Sequence, residues 1–267
     1  MLDMLIKKPL IGPQELEWVY VAKGLGIILV VVGHFWLAPK STPAYWDELK
    51  SLIYMFHMPL FFLLSGLLYE HAKYAYGDLI EGKGRRLMFP FFSVALIFLV
   101  LKYVAGHFVT LATPVDWTAV QALVTNPLHS YVSALWYLHA LFLMFCIYPP
   151  FRVAFGRVLF LLVLLILNSL IRATDYPVIG NAISYLPYFA VGVMLKESVR
   201  VREMMEANGA AVLVASLMVF GACGTFFSIM EAGEPAYLVR FVLGVAGSLA
   251  VISASILIAR AAVRPQR

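Results

Sequence analysis

The segment Trp18–Leu37, WVYVAKGLGIILVVVGHFWL, decides the fold and carries one lysine and one histidine. An apolar run of about 20 residues is long enough to cross a bilayer as a helix. Lys23 and His34 lie eleven residues apart, so a helix places them on nearly the same face, about 16 Å apart along the axis. A charge inside a membrane costs roughly 3 kcal/mol on insertion scales, so such a pair usually faces a bundle interior and marks a functional site. In the alternative interpretation, Lys23 extends to the nearer membrane surface and His34 is an ordinary interfacial histidine.

The composition of the whole chain agrees with that segment. Hydrophobic residues make up 62% of the 267 residues and charged residues 13%, whereas a soluble domain has about 25% charged residues. We therefore predict an all-α, polytopic transmembrane helix bundle. Eight segments are predicted to span the membrane: Trp18–Leu37, Leu52–Tyr69, Arg86–Val104, Ser133–Tyr148, Arg157–Ile171, Ala182–Lys196, Gly209–Phe227 and Ala236–Ala261.

The distribution of basic residues predicts the orientation of these spans. With the N-terminus inside, fourteen of the twenty Lys and Arg residues fall on the cytoplasmic side, which by the positive-inside rule places both termini in the cytoplasm. Residues 1–17 are then a cytoplasmic lead-in rather than a cleaved signal peptide. Residues 18–262 form one transmembrane domain, and residues 263–267 form a basic cytoplasmic tail. In the long outer connection, Thr113 is predicted to cap a short helix that ends near Val124.

The orientation gives several polar side chains a common depth near the outer face. His34 lies at that level, together with a set drawn from four other spans: His57, Trp136, His139, Asn168 and Tyr185. Unpaired polar groups are costly in a membrane, so we expect this set to surround a wet pocket. The alternative is an interfacial belt of aromatic residues with incidental histidines.

A basic cluster stands at the opposite face, directly before the third predicted span. It contains Lys83, Arg85 and Arg86. Such a cluster commonly serves only as a topology and lipid-headgroup signal, but it is also suited to bind the phosphates of an anionic cytoplasmic cosubstrate. No nucleotide-binding or metalloprotease motif is present. We expect neither a bound metal nor a nucleic-acid partner.

Five stretches resemble the acyltransferase 3 family of integral membrane O-acyltransferases, particularly its fucose 4-O-acetylase-like branch. They are AKGLGIILVVVGH, FHMPLFFLLSGLLY, KGRRLMFPFF, LWYLHALF and YLPYFAVGVMLKE, in this order between residues 22 and 197. The resemblance implies transfer of an acyl group, usually acetyl from cytoplasmic acetyl-CoA, to a hydroxyl of an extracytoplasmic carbohydrate. It also implies that His34 is the catalytic histidine, that Lys23 is its partner, and that Lys83 and Arg86 bind the CoA end. Family members often carry an acidic residue where this chain has Tyr20, and they have about ten spans, so the chain is expected to be a short member or a fragment.

Two other classes of function compete with the enzyme. In a transporter or exporter, Lys23 and His34 would form a proton or anion relay, but we find no inverted repeat in the sequence. A membrane scaffold without turnover is the third class. We expect a multi-pass protein of the cell membrane, such as a bacterial inner membrane, whose partners are a glycan acceptor and membrane lipids.

Overall fold

A computed structural model of the chain describes residues 13–35, 45–70, 75–109, 116–127, 130–170, 179–229 and 237–263. All regular secondary structure in these ranges is helical, which confirms the predicted all-α class. A 3₁₀ turn, Ser133–Leu135, precedes the fifth helix. The α-helices are α1 (Pro13–His34), α2 (Tyr45–Leu67), α3 (Tyr76–Ala105), α4 (Trp117–Thr125), α5 (Trp136–Phe155), α6 (Arg157–Leu170), α7 (Gly180–Glu197), α8 (Val199–Ala207), α9 (Gly209–Ile229) and α10 (Tyr237–Val263).

Each predicted span overlaps one of these helices, but not every helix is long and apolar enough to cross a membrane. By length and composition, four candidate spans lie within α1, α2, α3 and α10. Helices α8 and α9 form a fifth candidate if the pair, bent by 96° at its break, is one span. Helix α6 has 14 residues, or about 21 Å, less than the roughly 30 Å of a hydrocarbon core. The count of eight spans and the cytoplasmic location of both termini stay predictions, and Trp36 and Leu37 lie outside the described residues.

The predicted start of α4 is wrong. The residue that caps this helix is Asp116, whose carboxylate accepts a hydrogen bond from the backbone N–H of Ala119 at 2.8 Å and another from the hydroxyl of Thr118 at 2.6 Å. These bonds hold the pKa of the Asp116 carboxyl below its usual value. Asp and Thr are both good N-caps, and here the chain starts the helix after the later one. Thr113 itself lies outside the described residues.

The helices divide between two compact units. Unit 1 comprises residues 1–69 and 188–267, and unit 2 comprises residues 70–187, so the boundary falls within α7. In unit 1, α10 packs against α1, α2 and α9. The core of unit 1 is apolar and includes Trp18, Leu64 and Ile252. The prediction that residues 18–262 form one domain stays a prediction.

Two glycines allow α2 and α7 to touch backbone to backbone within unit 1. A Cβ atom on Gly66 would overlap the carbonyl oxygen of Phe189, and a Cβ atom on Gly192 would overlap that of Leu63. Small residues at such a crossing are typical of helix pairs in membranes, where close packing replaces the hydrophobic effect as the driving force. This crossing places α2, which carries His57, firmly against α7.

A buried lysine closes the end of α2 in the same unit. Lys196, at the end of α7, is 3% exposed, and its ammonium donates to the carbonyl of Tyr69 at 2.6 Å. Tyr69 is itself buried and lies two residues after Leu67, the last residue of α2. The bond gives this buried carbonyl a partner and ties the end of α7 to the segment that follows α2.

In unit 2, side chains replace backbone donors that prolines remove. Proline has no N–H, so the carbonyl four residues before it loses its helical hydrogen bond. Pro150 leaves the carbonyl of Cys146 in this state, and the hydroxyl of Tyr76 donates to that carbonyl at 2.8 Å. Pro187 likewise leaves the carbonyl of Ile183 without its helical N–H, and the side-chain amide of Asn168 donates to that carbonyl. In a membrane such replacements matter because water does not reach an unpaired carbonyl.

Candidate functional site

His34 is the last residue of α1 and its side chain is exposed. The ring Nδ1 lies 2.8 Å from the carbonyl oxygen of Val30, one helical turn earlier. A carbonyl oxygen only accepts hydrogen bonds, so Nδ1 carries the proton. In the neutral ring, Nε2 then holds the lone pair and is the atom able to accept a proton.

His57, on α2, lies beside His34. It is 5% exposed, and its Nδ1 lies 2.9 Å from the carbonyl oxygen of Ile53, so its tautomer follows by the same reasoning. The two imidazole centroids are 6.2 Å apart with the rings nearly perpendicular. The structure therefore brings together two histidines that the sequence placed only at a similar depth.

Tyr54 completes this group and was missed in the sequence. Its hydroxyl donates to the carbonyl of Gly33 at 2.7 Å. Its ring centroid lies 5.7 Å from that of His34 and 5.2 Å from that of His57. One signal was present, because Tyr54 precedes His57 by three residues and so shares its helical face. A tyrosine near a membrane surface is, however, also typical of an aromatic belt. We refer to His34, Tyr54 and His57 as the histidine cluster.

Lys23 lies on the same continuous helix as His34 but is not brought to it. The two are eleven residues apart in α1, which is about 16 Å along the axis. The half-buried Lys23 ammonium instead lies 5.8 Å from the ring centroid of Tyr20. That distance is within cation–π range, and Tyr20 is the position at which the resemblance leads us to expect an acidic residue.

The remaining residues of the predicted outer layer belong to unit 2. Trp136 on α5 and Tyr185 on α7 are half-buried, and their ring centroids lie 5.4 Å apart. His139, also half-buried, packs beside Phe91 with ring centroids 6.2 Å apart. An aromatic pair with a histidine on the adjoining helical turn is the kind of surface that binds a ligand through both apolar and polar contacts.

Asn168 has a structural role that the sequence interpretation did not include. Its side-chain Nδ2 donates to the carbonyl of Leu164 at 2.8 Å and to that of Ile183 at 3.1 Å. Ile183 stands four residues before Pro187, so the amide supplies the donor that the proline removes. Because both donor protons are used, Asn168 presents only Oδ1, which is buried and has no hydrogen-bond partner among the described residues.

The three residues of the basic cluster have different surroundings on α3. The ammonium of Lys83 lies 4.1 Å from the ring centroid of Phe145. Arg85 pairs with Glu81 at 2.6 Å, with both side chains largely exposed, so the pair contributes at most about 1 kcal/mol. Arg86 is exposed and, three residues after Lys83, lies on the same face of the helix. Within the described ranges, no three His, Cys, Asp or Glu side chains converge as metal ligands.

Comparison with known proteins adds a family to this geometry. Residues 16–264 match the sequence pattern of a family described as an acyltransferase domain, the acyltransferase 3 family. Nodulation protein NolL of Mesorhizobium japonicum is 44% identical over 71 residues, which are 25% of this chain and 18% of that protein. The chain thus matches well under two thirds of that relative's length. No solved structure gives a significant match.

Proposed function

The chain belongs to the acyltransferase 3 family, and we propose on that premise that it transfers an acetyl group from cytoplasmic acetyl-CoA to a hydroxyl of an extracytoplasmic carbohydrate or surface glycan. The observation that carries the proposal is the state of His34. Its Nδ1 is bound to Val30, so Nε2 remains as the basic atom at an exposed helix end. An imidazole with a free ring nitrogen is suited to remove a proton from a hydroxyl.

The proposed step uses Nε2 of His34 as the general base. This nitrogen takes the proton of the acceptor hydroxyl while the hydroxyl oxygen bonds to the thioester carbonyl carbon. The carbon–sulfur bond then breaks, and the CoA thiolate takes the same proton, so that the products are the acetyl ester and CoA. Acylation of Nε2 before transfer is the alternative route, and trapping an acyl-enzyme distinguishes the two.

The donor is assigned to the basic cluster on α3. Lys83 and Arg86 share a helical face, and two such cations are suited to pair with the phosphates of CoA. Contact with Phe145 restricts the ammonium of Lys83, which lowers the entropy lost when it binds an anion. Arg85 supports the positive field of the cluster, although its guanidinium already pairs with Glu81.

The acceptor is assigned to the aromatic pair and the polar groups near it. Trp136 and Tyr185 offer ring faces to the C–H surface of a sugar, and His139 offers a polar contact to its hydroxyls. Asn168 is assigned to this site through its bond to Ile183, two residues before Tyr185, because its Oδ1 is buried. Within unit 1, we assign His57 of the histidine cluster to contact with an acceptor hydroxyl. In this proposal Lys23 assists His34 from about three helical turns earlier on α1, without contact between the two side chains.

The proposal extends to the setting of the enzyme. We place the chain in the fucose 4-O-acetylase-like branch of the family and in a bacterial inner membrane. Its spans number about eight and both termini are cytoplasmic, in keeping with the basic-residue distribution. The apolar helices and the family match support a membrane location.

The test measures acetyl-CoA consumption by the purified chain in lipid vesicles, with and without a panel of glycan acceptors. We expect consumption that depends on an acceptor, and a loss of about a hundredfold to ten-thousandfold for His34→Ala. His107→Ala is the matched control, because the exposed His107 makes the same Nδ1 bond to a carbonyl four residues earlier, at 2.9 Å. A transporter that uses Lys23 and His34 as a relay would consume no acetyl-CoA. Normal turnover in folded His34→Ala protein would remove His34 as the base.

A further inference from the structure

We propose that Tyr54 is a positioning residue for His34, an inference that rests on the proposed function of His34. The hydroxyl of Tyr54 fixes the last turn of α1 through the carbonyl of Gly33, and its ring lies against the imidazole of His34. Tyr54 touches neither donor nor acceptor in this role. It acts by holding the base where the reaction needs it.

The hydrogen bond from Tyr54 reaches the C-terminal turn of α1, where carbonyl groups lack partners within the helix. The last four carbonyls of an α-helix have no N–H partner within the helix, and Gly33 is the next-to-last residue of α1. The Tyr54 hydroxyl satisfies the Gly33 carbonyl at 2.7 Å from a different helix. Because His34 directly follows Gly33, a restraint on this carbonyl also restrains the backbone that carries the imidazole.

Glycine at position 33 is what allows the approach. A Cβ atom there would stand 2.9 Å from Cε1 of Tyr54 and 3.3 Å from Cγ2 of Ile53. The first distance is shorter than real side chains adopt, so any larger residue would push the tyrosine ring away from α1. The residue before His34 is therefore matched in size to the tyrosine that holds it.

The ring of Tyr54 also contacts both imidazoles. Its centroid distances of 5.7 Å to His34 and 5.2 Å to His57 lie within the range of favourable aromatic pairs. His34 is exposed, so a ring on one side limits the rotation that solvent would otherwise permit. The tyrosine thus restrains the backbone of His34 through its hydroxyl and the side chain through its ring.

The experiment compares Tyr54→Phe with Tyr188→Phe. The hydroxyl of Tyr188 donates to the carbonyl of Arg240 at 3.1 Å, also between helices of unit 1, so both variants lose the same kind of bond. Displacing a catalytic group by about 1 Å costs on the order of a hundredfold in rate. We expect Tyr54→Phe to lower kcat at least about tenfold while leaving KM for acetyl-CoA within about twofold, and Tyr188→Phe to leave both unchanged. A kcat within twofold of the parent in folded Tyr54→Phe protein overturns the proposal.

A second measurement does not depend on turnover. Diethylpyrocarbonate modifies accessible imidazoles, and mass spectrometry gives the rate at His34 relative to His107, which serves as the internal reference. We expect Tyr54→Phe to raise this ratio at least about twofold as the imidazole gains freedom, and Tyr188→Phe to leave it unchanged. An unchanged ratio in Tyr54→Phe overturns the proposal. If the ratio rises but the parent protein consumes no acetyl-CoA with any acceptor, Tyr54 still holds His34 and the proposed acyl transfer is what fails.

Discussion

Replacing Asn168 tests whether its amide substitutes for the N–H that Pro187 lacks. In Asn168→Leu a side chain of similar size remains, but the carbonyl of Ile183 loses the donor now at 3.1 Å. A buried polar group left without a partner costs about 1–3 kcal/mol. We therefore expect Asn168→Leu to lower the free energy of unfolding by about that amount, beyond any change in packing.

The same substitution in a Pro187→Ala background isolates this contribution. Alanine restores a backbone N–H at position 187, and that N–H is placed to bond with the carbonyl of Ile183 in a regular helix. The cost of Asn168→Leu should then fall, so that the double-mutant cycle shows a coupling of about 1–3 kcal/mol. Reversible denaturant titration in mixed micelles, followed by circular dichroism, measures the four free energies of unfolding.

Ser169→Ala is the matched control for the cycle. The Ser169 hydroxyl donates to the carbonyl of Leu165 at 2.7 Å, one turn earlier on the same helix, but Ser169 is exposed and bonds no residue of α7. Ser169→Ala should lower the free energy of unfolding only slightly, and by the same amount with proline or alanine at position 187. If Asn168→Leu also costs the same with proline and with alanine at position 187, the amide does not replace the missing donor.

Two other predictions concern the donor site and the helix crossing. Replacing Lys83 and Arg86 together by Gln should raise KM for acetyl-CoA at least about tenfold, because charge-assisted bonds contribute about 1.5–3 kcal/mol each. The control Lys102→Gln, which removes a lysine near another aromatic ring, should leave KM unchanged. An unchanged KM in the folded double variant would mean that the basic cluster is only a topology signal. Gly66→Ala should greatly reduce the yield of folded protein in a detergent size-exclusion assay, because the new Cβ overlaps the backbone of α7. Gly82→Ala, with nothing within 4 Å of its Cβ, should not reduce the yield. Equal yields would contradict the close crossing of α2 and α7.

The sequence predicted the features that depend on neighbours along the chain. Apolar run length and composition were sufficient for the all-α class and for a helix within each predicted span, since helical hydrogen bonds join residues four apart. The shared face of Lys23 and His34 follows from α1 being continuous between them. The prediction failed for the start of α4, where two good capping residues compete within a few positions and Asp116 rather than Thr113 is used.

The sequence by itself thus determined the all-α class, a helix in each predicted span and a place for His34 near the end of the first span. These features follow from the hydropathy of neighbouring residues and from the spacing of residues along a helix. Only the tertiary structure decided which polar groups meet. Tyr54 bonds Gly33 across 21 positions of sequence, and the amide of Asn168 reaches the carbonyl that Pro187 leaves unpaired. A hydrogen bond between helices forms or fails over differences of a few tenths of an ångström in donor–acceptor distance, and the packing of the helices sets that distance. Hydropathy and spacing along the chain carry no record of that packing.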